Sequence, residues 1–332
     1  MRLLPRFTHA ATLALALATI LFSTHAQAET IADFDGDGKT DFSVWRSHEG
    51  HWLILQSSLM NLPKPVVGWG AYCLGDIAVP GDYDGDGKTD VAVYRTEEGN
   101  WYIIQSSNNA GIVRNWSGDP VQADYDGDGK TDIAVYRVNE GNWYIINSET
   151  NTSTVRNWGG VFGSNMDVPV PGDYDGDGKA DIAVFRRQEG NWYVLRSTGG
   201  SSIVNWGGGN DSLVPADYDG DGMTDPAVFR FNENNWYIRL SSGGTIVRNW
   251  GGTTRRQQGG VTIVQNDQLV PGDYDGDGKV DIAVYRSYEG NWYVLRSSDG
   301  GVTMMYLQGD VPVPEAYSPE YFAADIPICG PQ

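Results

Sequence analysis

An all-β ring of six four-stranded blades, a β-propeller, is the fold this sequence predicts, and three observations carry that prediction. A nine-residue acidic segment, Asp33-Phe-Asp-Gly-Asp-Gly-Lys-Thr-Asp41 in its first copy, recurs five more times with its four aspartates and two glycines unchanged, at start-to-start spacings of 49, 42, 49, 44 and 56 residues. Each copy is followed by short β-branched and aromatic runs divided by turn residues, with no helical periodicity. Beyond the sixth copy the chain runs Gly309-Asp-Val-Pro-Val-Pro314, the lead-in of a further copy without its aspartates. A repeat of about 40 to 50 residues suits a four-stranded blade, and closing the ring leaves only short, protected sheet edges.

Taken in chain order, the first 28 residues stand apart. Arg2 and Arg6 precede an apolar run from Leu13 to Phe22, and Ala26-Gln27-Ala28 is a small-residue cleavage site. This is the pattern of an export signal, and the run is about half the ~20 residues a spanning helix needs. The expected organisation is a signal peptide at 1–28, one propeller domain at 29–317 and a tail at 318–332. Export through this signal predicts a secreted protein, extracellular or periplasmic, where calcium is plentiful and disulfides persist. No other long apolar run follows, so membrane insertion is not expected.

Within each unit the order is constant. The acidic loop leads into a strand ending in an aromatic residue and Arg, as in Val93-Tyr94-Arg95. A Glu-Gly-Asn turn follows, then a Trp-led strand such as Trp101 to Gln105, then a strand ending in Asn-Trp-Gly, and a Val-Pro element enters the next loop. In the fifth copy Asn234 stands where the others have the turn glycine, and Asn is the other residue that tolerates the left-handed region. The tail is expected to dock on the first blade, either replacing its inner strand or adding to it. Cys73 and Cys329 are the only cysteines. A disulfide between them would join the first blade to the tail, worth about 5 kcal/mol by chain entropy.

The acidic loop carries the chemistry. Its aspartates stand at positions 1, 3, 5 and 9: Asp33, Asp35, Asp37 and Asp41; Asp82, Asp84, Asp86 and Asp90; Asp124, Asp126, Asp128 and Asp132; Asp173, Asp175, Asp177 and Asp181; Asp217, Asp219, Asp221 and Asp225; Asp273, Asp275, Asp277 and Asp281. Glycines at positions 4 and 6 let the backbone curl so that these carboxylates converge. Converged carboxylates repel unless a cation lies among them. Hard oxygen ligands in this number suit Ca²⁺ better than Mg²⁺, so about six calcium ions are expected. The backbone carbonyl at position 7 would complete each set, from Lys39, Lys88, Lys130, Lys179, Met223 and Lys279, and the side chain, that of Lys39 in the first copy, can point outward as a solvated charge. An EF-hand would need Glu at position 12, where every copy has Val: Val44, Val93, Val135, Val184, Val228 and Val284.

The stretch Val79-Pro-Gly-Asp-Tyr-Asp-Gly-Asp-Gly-Lys-Thr-Asp-Val-Ala-Val-Tyr-Arg95 resembles the FG-GAP-like or VCBS repeats of secreted bacterial proteins, related to the calcium-bearing blades of the integrin α-subunit head. The resemblance covers nearly all of 29–317. It implies a propeller with calcium between the first and second strands of each blade, held by the matching aspartates. The chain lacks the Phe-Gly and Gly-Ala-Pro elements of the integrin pattern and has six loops where integrin heads have seven blades, so six blades are favoured over seven and integrin ligands are not carried over.

Charge and composition narrow the function. A formal net charge of −20 argues against nucleic acid as partner, because phosphate contacts need clustered Lys and Arg. Beyond the signal only His48 and His51 remain, the carboxylates are assigned to metal, and no Gly-x-Ser-x-Gly or His-Glu-x-x-His run occurs. The expected function is a calcium-binding, lectin-like or adhesive module for an extracellular glycan or protein, rather than an enzyme. The alternative is a carbohydrate-active enzyme, a polysaccharide lyase or hydrolase, on the same repeats. The repeated tryptophans and the Arg95–Glu98 type of pair are expected to be structural. Specificity is expected where the repeats disagree: His48 and His51, Asn61 to Tyr72, Val161 to Met166, and Gly251 to Asp267 with Arg255 and Arg256.

Overall fold

A computed structural model describes residues 32–60, 62–64, 66–162, 165–258 and 261–313. The signal peptide and Cys329 lie outside them. The β-branched and aromatic runs form antiparallel strands in six sheets, one blade each. Blade 2 is typical, with an inner strand Asp76–Ala78, then Val91–Arg95, Asn100–Ile104 and an outer strand Gly111–Asn115. Blades 3 to 6 repeat this order, with second strands Ile133–Arg137, Ile182–Arg186, Ala227–Arg230 and Ile282–Arg286. The acidic loops join inner to second strands. The Glu-Gly-Asn turns therefore lie on the opposite face of the ring.

Blade 1 is built from both ends of the domain. Its second and third strands are Phe42–Arg46 and His51–Gln56, and its inner strand is Val311–Pro312, paired as Val44↔Pro312 and Trp45↔Val311. The tail thus replaces the inner strand, and the ring closes at six blades. The outer edge of blade 1 is interrupted, with Leu62–Pro63 and Val67–Gly68 each pairing the third strand. Cys73, just beyond this edge, is disulfide-bonded.

Second strands sit between neighbouring sheets and are buried on both faces. Val91, Ala92, Val93 and Tyr94 are all buried. Third strands alternate, with Trp101 and Ile103 inside, and outer strands are mostly exposed. Six hydrophobic clusters result, one at each seam between blades. The seam from blade 6 to blade 1 packs Trp292, Tyr285 and Leu307 on Phe42, Val44 and Leu55.

The tryptophans are fasteners. The third-strand Trp of each of the first five blades is fully buried, and its indole N–H donates to the carbonyl of the outer Trp in the same blade, as Trp143 does to Trp158 at 3.0 Å. That outer Trp donates in turn to a third-strand Tyr carbonyl of the next blade, Trp158 to Tyr193 at 2.9 Å. Five seams are pinned this way. At the sixth, Leu307 replaces the outer Trp, and Trp292 Nε1 has no hydrogen-bond partner.

The turn residues behave as their chemistry requires. Gly99 has φ +67° and Asn234 has φ +56°, so Asn234 occupies the left-handed region as expected. A side chain at Gly141 would meet the Gly159 carbonyl at 2.5 Å, so the turn must also stay narrow.

The packing gives a stability expectation. Trp143→Ala empties a fully buried site and removes a seam fastener, and is expected to cost about 3–5 kcal/mol in urea unfolding. The half-exposed outer-strand change Val155→Ala is expected to cost less than about 0.5 kcal/mol. Equal losses would contradict the assignment of the core.

Candidate metal centres

Each acidic loop is organised around its first and last aspartates. In loop 2, Gly85 and Gly87, with φ +78° and +80°, turn their amides onto Asp82, at 2.6 Å to Oδ1 and 2.8 Å to Oδ2. Asp90 closes the loop. Its Oδ2 accepts the Tyr83 amide at 3.0 Å and its Oδ1 the Ser106 amide at 2.6 Å. The same donors recur in all six loops for the ninth aspartate. Position 9 is fully buried in every loop, position 3 is half-buried and position 5 is mostly exposed. The carboxylates therefore form a funnel from core to solvent.

The middle aspartates are held by a pair of residues the sequence reading missed. Ser106 Oγ donates to Asp86 at 2.8 Å and Ser107 Oγ to Asp84 at 2.6 Å. Ser57, Ser148, Ser197, Ser241 and Ser297 repeat the first contact. The signal was available, since a serine stands 24 residues after the first aspartate of every loop.

Within a loop the structure brings three of the four aspartates together, and which three differs between loops. Three carboxylate oxygens lie within 4.8 Å of one another in Asp33, Asp35 and Asp37; Asp82, Asp84 and Asp86; Asp124, Asp126 and Asp132; Asp173, Asp175 and Asp181; and Asp217, Asp219 and Asp225, and one further such group occurs among the described residues. The donor set fits a hard cation by a second observation. Oδ1 of Asp35, Asp175, Asp219 and Asp275 is buried and without a hydrogen-bond partner. A buried carboxylate oxygen in that state is costly unless a positive charge meets it.

The position-7 side chains do not point outward into solvent. Lys39 Nζ donates to the Asp275 carbonyl at 2.9 Å and Lys179 Nζ to the Asp126 carbonyl at 2.8 Å, so each reaches across the preceding loop. Beneath them runs a closed ring of main-chain bonds from position 8 of each loop to the position-1 carbonyl of the loop before. These are Thr89 to Asp33, Thr131 to Asp82, Ala180 to Asp124, Thr224 to Asp173, Val280 to Asp217 and Thr40 to Asp273, at 2.5–2.8 Å.

At the other face, each second-strand Arg is engaged, and its main partner was also missed. Arg95 forms a bidentate pair with buried Asp76 at 2.7 and 3.0 Å, while its contact with Glu98 is 3.5 Å. Arg186, Arg230 and Arg286 pair likewise with Asp167, Asp211 and Asp267. Each of these aspartates lies six residues before a loop. His51 sits exposed, 3.0 Å from Glu49.

Burial leaves its mark on the carboxyls. Desolvation raises the first aspartate of every loop above its ordinary value of 3.8. It raises Asp41 and Asp281 to about 7, and Asp90, Asp132, Asp181 and Asp225 to about 6. A carboxyl that holds its proton more tightly when folded stabilises most below its unfolded value, and that contribution is lost as pH rises through 6 to 7. Metal-free protein in chelator is therefore expected to show a melting temperature that rises from pH 8 to pH 5. A flat or falling profile would contradict the burial of these groups.

No helix among the described residues is long and apolar enough to cross a membrane. No curated protein matches the chain in sequence. Among solved structures, it is similar to an Agrocybe aegerita lectin that recognises non-reducing terminal N-acetylglucosamine, at 15% identity over 83% of this chain and 78% of that one, with a TM-score of 0.49. It is similar also to a Staphylococcus aureus virginiamycin B lyase, at 8% identity over 86% and 87%, with a TM-score of 0.49. Neither likeness bears on what this chain binds. The FG-GAP-like repeat matches at residues 33–93, 82–135, 124–184 and 173–228, each match running from one acidic loop into the second strand of the next blade and together spanning more than half of the sequence. With its loops, strands and ring closure as described, the chain belongs to the FG-GAP-like repeat family.

Proposed function

We propose that this is an exported calcium-binding module whose metal-bearing face stiffens the ring while the opposite face binds an extracellular glycan or protein. The observation that carries the metal reading is the set of buried, unpartnered position-3 oxygens in loops whose first and ninth aspartates are already engaged by backbone amides. Calcium would be held by positions 1, 3, 5 and 9 and by the carbonyls of Lys39, Lys88, Lys130, Lys179, Met223 and Lys279. Its charge would offset much of the excess acidity, since 24 of the 43 acidic residues stand in the six loops.

The placement of the irregular segments supports a binding role for the opposite face. The hairpins Val161–Phe162 with Asn165–Met166, and Thr253–Gln258 with Val261–Asn266, interrupt the passage from an outer strand to the next blade's inner strand. Those passages lie on the turn face, as does the His48–His51 turn. Departures from a repeat on surface loops are where binding is usually placed.

Metal analysis of dialysed protein is expected to approach about six calcium ions per chain, one for each acidic loop. Chelation is expected to lower the melting temperature, because each site occupied at ten times its Kd adds about 1.4 kcal/mol to the folded state. No bound metal at millimolar calcium would overturn the metal reading. A glycan array in calcium and in chelator tests the partner. Calcium-dependent sugar binding supports a glycan, silence directs the search to a protein, and bond cleavage would replace the binding role by an enzymatic one.

A further inference from the structure

The six loops are not electrostatically equal, and the difference lies in the neighbour's position-7 side chain. A Cβ built on the position-4 glycine of each loop meets that side chain: Lys88 over loop 1, Lys130 over loop 2, Lys179 over loop 3, Lys279 over loop 5 and Lys39 over loop 6, with Cγ at 2.9–3.1 Å. Over loop 4, Asp173 to Asp181, the side chain is Met223, with Cγ at 3.1 Å and Sδ at 3.5 Å from the same point on Gly176. Five loops thus lie beneath a side chain ending in an ammonium. One lies beneath an uncharged thioether of similar length.

We infer that loop 4 is the tight calcium site of this ring and that Met223 makes it so. The inference rests on the calcium reading above. Loop 4 has what that reading requires, since Oδ1 of Asp175 is buried and unpartnered and its oxygens cluster with those of Asp173 and Asp181. The scaffold beneath it matches that of the other loops. Thr224 N–H donates to the Asp173 carbonyl as at every joint, Ser197 holds Asp177 and Thr198 Oγ1 takes the place of the second serine on Asp175. Loop 4 thus shares the common scaffold, and what sets it apart from the other five is the missing position-7 ammonium, while Lys64 beside loops 1 and 2, Arg296 beside loop 6 and Glu149 at the second-hydroxyl position of loop 3 are local additions. A divalent ion doubles the Coulomb repulsion of a monovalent neighbour, and an ammonium about 6 Å away in a water-like dielectric weakens calcium binding by about tenfold. Loop 4 escapes that repulsion. The effect shrinks as salt screens it.

The test is calorimetric titration of calcium into chelator-stripped full chain at low ionic strength, with Met223→Lys and Lys130→Met beside the unaltered protein. Met223→Lys places in blade 5 the residue its five counterparts already carry, so folding is expected to survive. The expected isotherm has one tight site and five about tenfold weaker. Met223→Lys removes the tight step, Lys130→Met adds a second by relieving loop 2, and about 0.5 M salt merges the two classes. Six equivalent sites, or a tight step that survives Met223→Lys, would overturn this inference and leave the calcium reading standing. No uptake by any of the three proteins would overturn both.

Discussion

Six main-chain hydrogen bonds, each from the eighth residue of one acidic loop to the first residue of the loop before, run in a closed circle around one face of the molecule. Much of the loop's composition is consistent with this circle. To present position 8 forward and position 1 backward, the nine residues must fold into a tight curl, and glycines at positions 4 and 6 supply the positive φ that the curl needs. The curl gathers carboxylates that would separate in an open loop. Fully burying the ninth aspartate in every copy sets its repulsion and desolvation against the ring, a cost that a cation at these positions would offset.

The two faces of the propeller are built on different principles. On the loop face, backbone, serine hydroxyls and carboxylates repeat with little variation, as a scaffold must. Tryptophans pin adjacent blades through the body of the ring, and Arg–Asp pairs anchor four second strands at the far side. At that far side the repeats also diverge, in hairpins between blades 3 and 4 and between blades 5 and 6. Rigid support with local variation is the arrangement expected of a recognition surface on a repeat scaffold.

Much of this was legible in the sequence because it depends on local rules. The acidic loop, the strand after it, the left-handed turn at Asn234 and the tail's kinship with a blade lead-in are all properties of a few adjacent residues. What escaped depends on distance. Ser106 bonds Asp86 across 20 residues and Asp76 bonds Arg95 across 19, and a constant offset reveals such partners only once the fold says which ends meet. The sequence alone places the lysine side chains in solvent, since it does not show which blade follows which around the ring. Their acceptor lies on another blade, 236 residues away for Lys39. Whether the tail replaced or extended the first blade's sheet was undecidable locally, and pairing of Val311–Pro312 with Val44 and Trp45 settles it.

We propose that cations in the acidic loops hold the circle of loop-to-loop bonds together. Amide hydrogen exchange at Thr40, Thr89, Thr131, Ala180, Thr224 and Val280, in calcium and after chelation, tests it most directly. These six amides are expected to be strongly protected in calcium and to lose protection together on chelation, while the Trp-pinned third strands stay protected. Unchanged protection of the six after full removal of metal would contradict it.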